Sequence, residues 1–537
     1  SMNVEEGWDR ITEEMKKFLF ILGLTGCSVC SHAQVDLGKY GQLSGSLESN
    51  SIIYVDDKDL PNSVTDTHFG SNNYLKIDYT NQKFSAGFQL EGYFPTLQGY
   101  DMGGYDDKHS FILGNKYISW QDKYYGVRAG DIFDQFGSGL IFRSYEDRQL
   151  GFNNSLEGGQ VRVNLKDYVK VRGMYGRPRL YMHHADSWVG GADLSLSLTK
   201  LAKIESADFS LEGSYVNRHE SVAEALKPIV TTPNLNMYSA RANFDWNGVS
   251  ARVEYVNKSK DLSEATMEDM RIGYAWLGEV GYNYKQFSAL GTFRVLKHMN
   301  TMLTLEGQGT GNVLNYLPAL TRQYTYMLAN LNPYQVNVNG EAGGQIDAYY
   351  SIRPKGQRSK YWNFHANYST YYSDKKQTGK SRLLWRDVNG DIEHQWNKKL
   401  KTSLLVSVQE WSPTHGSTEK TYASNIFVYD MTYKFDRKTS IRGELQYLYS
   451  EDYEKDWMAA LIEVNFAPHW SVSVSDMYNH GKTEIHYYNG SVSYTFERTR
   501  IQVNYGRNRA GYVCSGGVCR YTPALSLIHI SEPTRPY

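Results

Sequence analysis

From Gln42 onward almost every segment of this chain alternates apolar and polar residues with period two. In "WMAALIEVNF", Met458, Ala460, Ile462, Val464 and Phe466 share one face, with Glu463 and Asn465 on the other. In "WSVSVS", Trp470, Val472 and Val474 oppose Ser471, Ser473 and Ser475. "IRGELQYLY" sets Ile441, Leu445, Tyr447 and Tyr449 against Arg442, Glu444 and Gln446, and "VSARVEY" sets Val249, Ala251, Val253 and Tyr255 against Ser250, Arg252 and Glu254. Strand side chains project to opposite sides in turn, so each segment has one greasy and one wet face. The segments often run ten residues or more, near the length that crosses a bilayer at a tilt.

The connections alternate as well. Short ones include Asn81-Gln82-Lys83, Trp246-Asn247-Gly248, Asp436-Arg437-Lys438 and Ala467-Pro468-His469. Between them come long ones, such as Asp56–Ser71, Pro95–Ser110, Arg218–Asn236, Lys258–Met270 and Ser412–Lys420. Short turns at one end and long loops at the other are the habit of outer-membrane barrels. Trp246, Phe287, Phe435, Phe466, Trp470 and Phe496 stand beside the short turns, as an interfacial girdle requires. A mean hydropathy of −0.55 excludes a helical membrane bundle but not a barrel whose strands are half apolar. A net charge of −1 offers no basic footprint for nucleic acid. A chain of soluble sandwiches would need linkers, and none interrupts Gln42–Arg520; a propeller would need a fixed repeat, and none is evident.

The reading is therefore an all-β protein: a transmembrane, antiparallel, up-and-down β-barrel of about 24 strands, spanning residues 34–524. Twenty-three strands fit between Gln42 and Asn508, counting "LLWRDVNGDIEHQW" as one long strand despite its Asn389-Gly390 hairpin signal. The calcium-loop look of Asp387, Asn389 and Asp391 is set aside, because the glycine is misplaced for such a loop. An even-numbered barrel needs one more strand running back. The chain supplies "YTPALSLIHISEPTRPY" there, with charge and two late prolines, a poor strand. Leu525–Arg535 resembles the in-frame translation of a transposase adapter, so residues 525–537 are expected to be a non-native tail. The last strand is then expected to be lost, leaving open edges that hydrocarbon does not tolerate.

The chain's start reads as an export signal. Met15-Lys16-Lys17 precedes the apolar run Phe18–Leu24, and Ser31-His32-Ala33 has the form of a cleavage site, giving a signal peptide over 15–33 and an upstream extension over 1–14. Leu24-Thr25-Gly26-Cys27 offers lipidation at Cys27 as the rival. Cys514 and Cys519, in "CSGGVC", are expected to form a disulfide in an oxidising envelope.

"GDIFDQFGSGLIFRSYEDRQLGFNNSLEGG", Gly130–Gly159, departs from period two. Gly137-Ser138-Gly139 permits a tight turn, and Arg143, Glu146, Asp147 and Arg148 stand among Phe133, Phe136, Phe142 and Tyr145. An ordered loop folded into or over the lumen is expected; as a constriction it would grip solute, as a plug it would only fill space. This stretch, with "CSGGVCRYTPA", resembles an uncharacterised Bacteroidota outer-membrane β-barrel family, a domain of unknown function with a GDxxxQFGSGLxFRxYE motif. Gly130, Asp131, Gln135, Phe136, Gly137, Ser138, Gly139, Leu140, Arg143, Tyr145 and Glu146 match it. Phe133, Asp134 and Asn153 replace an expected Tyr, Glu and Asp. The resemblance implies an outer-membrane barrel and no activity. The residues assigned to the lumen loop are Asp131, Gln135, Phe136, Gly137, Ser138, Gly139, Arg143, Tyr145, Glu146 and Arg148.

No catalytic constellation, cofactor motif or metal set stands out; His183-His184 beside Asp186 reads as solvated loop. The largest loop, about His298–Gly344, is expected to form an outer cap packed on its own aromatics, with a short helix near Tyr324–Leu331. Functionally the chain reads as a porin-like or gated channel in a Gram-negative outer membrane, surrounded by lipid and passing an unknown solute. The alternative is a non-transporting scaffold that docks a lipoprotein partner or a secretion complex.

Overall fold

The computed structural model describes residues 34–60, 68–100, 110–263, 266–307, 309–357 and 359–534. The expected signal segment, with Cys27 and Cys30, and the final Arg535–Tyr537 lie outside the described residues. Twenty-four antiparallel strands close into one barrel. The first is Gln42–Val55, and the twenty-third is Thr499–Asn508. Consecutive strands pair throughout, and Asn389-Gly390 lies inside the single strand Leu383–Gln395.

The closing strand is Leu525–Thr534. It pairs with Gln42–Val55 on one side and Thr499–Asn508 on the other. The expectation of a lost strand and open edges is thus corrected. The reason is local: "IHIS" keeps period two. Ile528 and Ile530 are in register with outward Tyr505 and Val503, while His529 turns to inward Asn504 and Asn50.

Every apolar face named from the sequence points outward. Met458, Ile462, Val472, Val474, Leu445 and Tyr449 are exposed, and Glu444 and Gln446 are buried inside. The six girdle aromatics are also exposed on the wall. A second outward aromatic row stands toward the long-loop end, where Tyr175 stacks on Trp188 at 5.2 Å and Tyr255 meets Trp276 at 4.5 Å. One long loop is replaced by strand: Val249–Ser263 and Thr266–Tyr284 pair past Lys258, through bulges, up to Ser263 and Thr266.

The inner wall has two zones. Near the short turns it is polar. Toward the long loops it carries two apolar patches among buried polar groups, with Val189, Val216, Met237, Val256 and Leu296 in one and Leu405, Ile426, Leu448 and Trp457 in the other, all buried. Apolar side chains facing a water-filled lumen would be unfavourable; here loops cover them.

Candidate functional site: the loops inside the barrel

Phe133–Ser155 connects strands Tyr125–Ile132 and Leu156–Leu165, and folds inward. A tight turn carries its tip: Gly139 N–H donates to Phe136 O at 3.0 Å, with φ of +56° at Gly137 and +93° at Gly139. A Cβ on Gly137 would lie 2.6 Å from Arg241 Cδ and 2.7 Å from Glu254 Oε1, so this position needs glycine for space as well as for φ. Ser138 N–H donates to Glu254 Oε2 at 3.1 Å. Phe136, Leu140, Ile141 and Phe142 are buried against the apolar wall.

Charges fasten both shoulders of the loop. On one, Asp134 meets Arg172 at 2.7 Å, and Arg172 also donates to Gln135 O at 2.8 Å. The Gln135 amide turns back to Gly137 O at 2.9 Å. On the other, Arg148 pairs with Glu48 at 2.6 Å and Glu146 at 2.7 Å, donates to Gln89 at 2.9 Å, and lies over the Tyr74 ring. Glu146 accepts further bonds from Gln89, Asn115 and Asn153. Burial pushes the Glu146 carboxyl up, but the Arg148 charge and these donors outweigh it and hold it below the usual carboxylate value.

A second inward loop continues the filling. Met299–Asn339 joins strands Phe287–Lys297 and Gly340–Ile352. Arg143 is sandwiched between Tyr145 and Tyr316, 3.9 and 4.0 Å from the ring centres. Tyr316 N–H donates to Gly139 O at 2.9 Å, and Asn315 donates to Leu140 O at 3.0 Å. The loop then crosses to the far wall. Arg322 donates to Asn389 at 2.8 Å and pairs with Asp391; Tyr324 donates to Asp387 at 2.6 Å, and Tyr326 to Asp430 at 2.9 Å. Burial beside those carboxylates raises both phenols. Leu328 N–H donates to Gln446 Oε1 at 3.1 Å, and Leu328 packs with Leu405, Ile426 and Trp457. This corrects the expected outer cap: the loop reaches into the lumen because the apolar upper wall needs cover. The expected helix near Tyr324–Leu331 is a single turn, Asn330 N–H to Tyr326 O.

The hairpin Gly511–Ser515 and Val518–Thr522 completes the group, with Cys514 and Cys519 disulfide-bonded. Ala319 N–H donates to Gly517 O at 2.8 Å, and Arg520 donates to Gln149 O at 2.8 Å, so the hairpin touches both loops.

Of the residues named from sequence, Gln135 through Glu146 and Arg148 meet inside the lumen. Asp131 does not. It lies on the outward face at a strand end, where it accepts Lys116 N–H at 2.9 Å. Asp131, Glu157 and His184 place their ligand atoms within 4.8 Å of one another, but Lys116 Nζ is already 2.5 Å from Glu157 and 3.4 Å from Asp131. His183 is exposed. Sequence reasoning missed Asp134, Arg172, Glu254 and Arg322. For Arg172 and Glu254 the available signal was a charge in the inward phase of a strand; Asp134 and Arg322 lie in loops, where alternation gives none.

Among solved structures the chain is similar to the P pilus usher PapC translocation pore, at TM-score 0.43 and 10% identity over 92% of this chain and 98% of that one. It is also similar to the E. coli P pilus tip assembly intermediate PapC-PapD-PapK-PapG, at TM-score 0.49 and 10% identity over 94% and 61%. A third is Pseudomonas aeruginosa OccK8 (OprE), at TM-score 0.38 and 10% identity over 79% and 97%. At such values the likeness says nothing about activity. No curated protein matches the chain. A family model described as "Family of unknown function (DUF6029)" matches residues 15–531, and the chain belongs to that family.

Proposed function

We propose that the protein is a gated conduit of a Gram-negative outer membrane, held closed by its own inward loops. The Gly130–Gly159 motif supports an origin in the Bacteroidota. The short turns face the periplasm, and the long loops face out, as in other such barrels. One observation carries the reading: beside their apolar packing, both loops are fastened to the lumen wall by ion pairs and hydrogen bonds, through Asp134, Arg148 and Arg322. Polar ties in a wet lumen have a ready alternative in water and can be exchanged. A purely apolar plug would have no such low-cost way out. The solute is small and water-soluble, because the lower wall offers hydroxyls, amides and charges.

In planar bilayers the purified chain is expected to show low conductance with brief openings, and Glu146→Gln is expected to lengthen them by weakening its bond to Arg148. Records that stay silent for both proteins would sink the conduit reading. A filled lumen also suits a scaffold, and silence together with a co-purifying lipoprotein would favour that alternative.

A further inference from the structure

The wall beneath the first loop holds two arginines in an arrangement that calls for an anion. Arg162 and Arg172 are register partners on adjacent strands, both on the lumen face. Like charges directly opposite each other on a sheet repel. Arg172 has Asp193 at 3.1 Å on its far side. Between the pair stands Asp134, delivered by the loop, with Oδ1 at 2.7 Å from Arg172 and Oδ2 at 3.6 Å from Arg162. Gln160 donates to the same Oδ2 at 2.5 Å. The two arginine contacts are unequal. Asp134 is 5% exposed, whereas Arg162, three residues from the short-turn end of its strand, is 44% exposed. Among the described residues the 3.6 Å approach to Asp134 is the ion pair of Arg162, so a half-exposed guanidinium on the lumen face keeps hydrogen-bonding capacity for a carboxylate.

We infer that Arg162 and Arg172 form a binding site for a small carboxylate-bearing solute, that Asp134 occupies the site as an internal stand-in, and that the solute opens the conduit by displacing Asp134. This rests on the conduit reading above for its last step only. The exchange is even: the entering carboxylate takes over the contacts to Arg162, Arg172 and Gln160, and Asp134 leaves with its charge into the wet lumen. The loop then keeps the Arg148 tie on its other shoulder, so it swings rather than unfolds. Binding to the wall is weakened by the stand-in, since only the fraction with Asp134 displaced is competent.

The test is titration calorimetry of the full chain in detergent with citrate as probe. Wild type is expected to bind weakly, and Asp134→Asn roughly tenfold more tightly because the competing carboxylate is gone. Arg162→Gln is expected to bind at least about tenfold more weakly than wild type, with Arg162→Lys between, as loss of a bidentate fork implies. Arg162 is half-exposed, so both variants should fold; an unchanged urea midpoint checks this. No heat from wild type or Asp134→Asn, or equal binding after Arg162→Gln, overturns the site. Binding of inorganic phosphate in place of citrate overturns the carboxylate assignment. Binding that follows the variants while citrate leaves bilayer conductance flat keeps the site and removes the conduit.

Discussion

Glu341→Ala is expected to lower the stability of the barrel by about 3–5 kcal/mol, because it strands a buried guanidinium. Arg294 and Glu341 are 1% and 0% exposed, and they meet at 3.0 Å where the second inward loop leaves and rejoins the wall. Glu341 also receives the Tyr334 hydroxyl and, at 3.0 Å, Asn337 N–H; Arg294 donates to Pro318 O at 2.6 Å. One carboxylate thus holds both ends of the loop. Burial of Tyr334 itself, and then the Glu341 charge beside it, push that phenol well up, so the hydroxyl stays a donor. Removing the carboxylate leaves a charge out of water with one carbonyl for company. The double change Arg294→Met with Glu341→Leu is expected to cost far less than the single one, since no charge is left unpaired. Unfolding in urea, followed by tryptophan fluorescence, measures both. A single variant within about 1 kcal/mol of wild type would show that the pair is not desolvated as described.

Arg148→Ala combined with Arg322→Ala is expected to convert a mostly closed barrel into a mostly open one. The two arginines fasten different loops to different walls, Arg148 to Glu48 and Gln89, Arg322 to Asn389 and Asp391. A hydrogen bond to a charged group contributes about 1.5–3 kcal/mol, so losing both ties shifts the closed-to-open ratio by about a hundredfold or more. The sites share no partner, so the effects should add. Both arginines lie in loops, and the apolar packing of Phe136 and Leu328 remains, so the barrel still forms. Steady bilayer conductance reads the ratio. Traces indistinguishable from wild type would mean that apolar packing alone keeps the lumen shut.

The barrel itself was legible along the chain. Period two is a local property: Met458 and Ile462 point one way and Glu463 the other wherever that strand sits. Turn chemistry is local too, so the twenty-three strands from Gln42 to Asn508 could be read in order, and strand length overrode the hairpin signal of Asn389-Gly390. The closing strand Leu525–Thr534 was not legible because charge and proline outweighed the short "IHIS" alternation, and because closure depends on two neighbours that the segment does not itself reveal. Residues Gly137 and Gly139 stood out, but only as a turn.

What alternation along the chain determined is which side of each strand meets lipid and which meets the lumen, since hydrocarbon accepts only one of the two faces. What the tertiary structure alone decided is how the lumen is filled. Asp134 meets an arginine 38 residues away, and Arg148 a glutamate 100 residues away. Pairings at that distance depend on which strands the closed barrel brings opposite each other, and no local pattern in the chain encodes that.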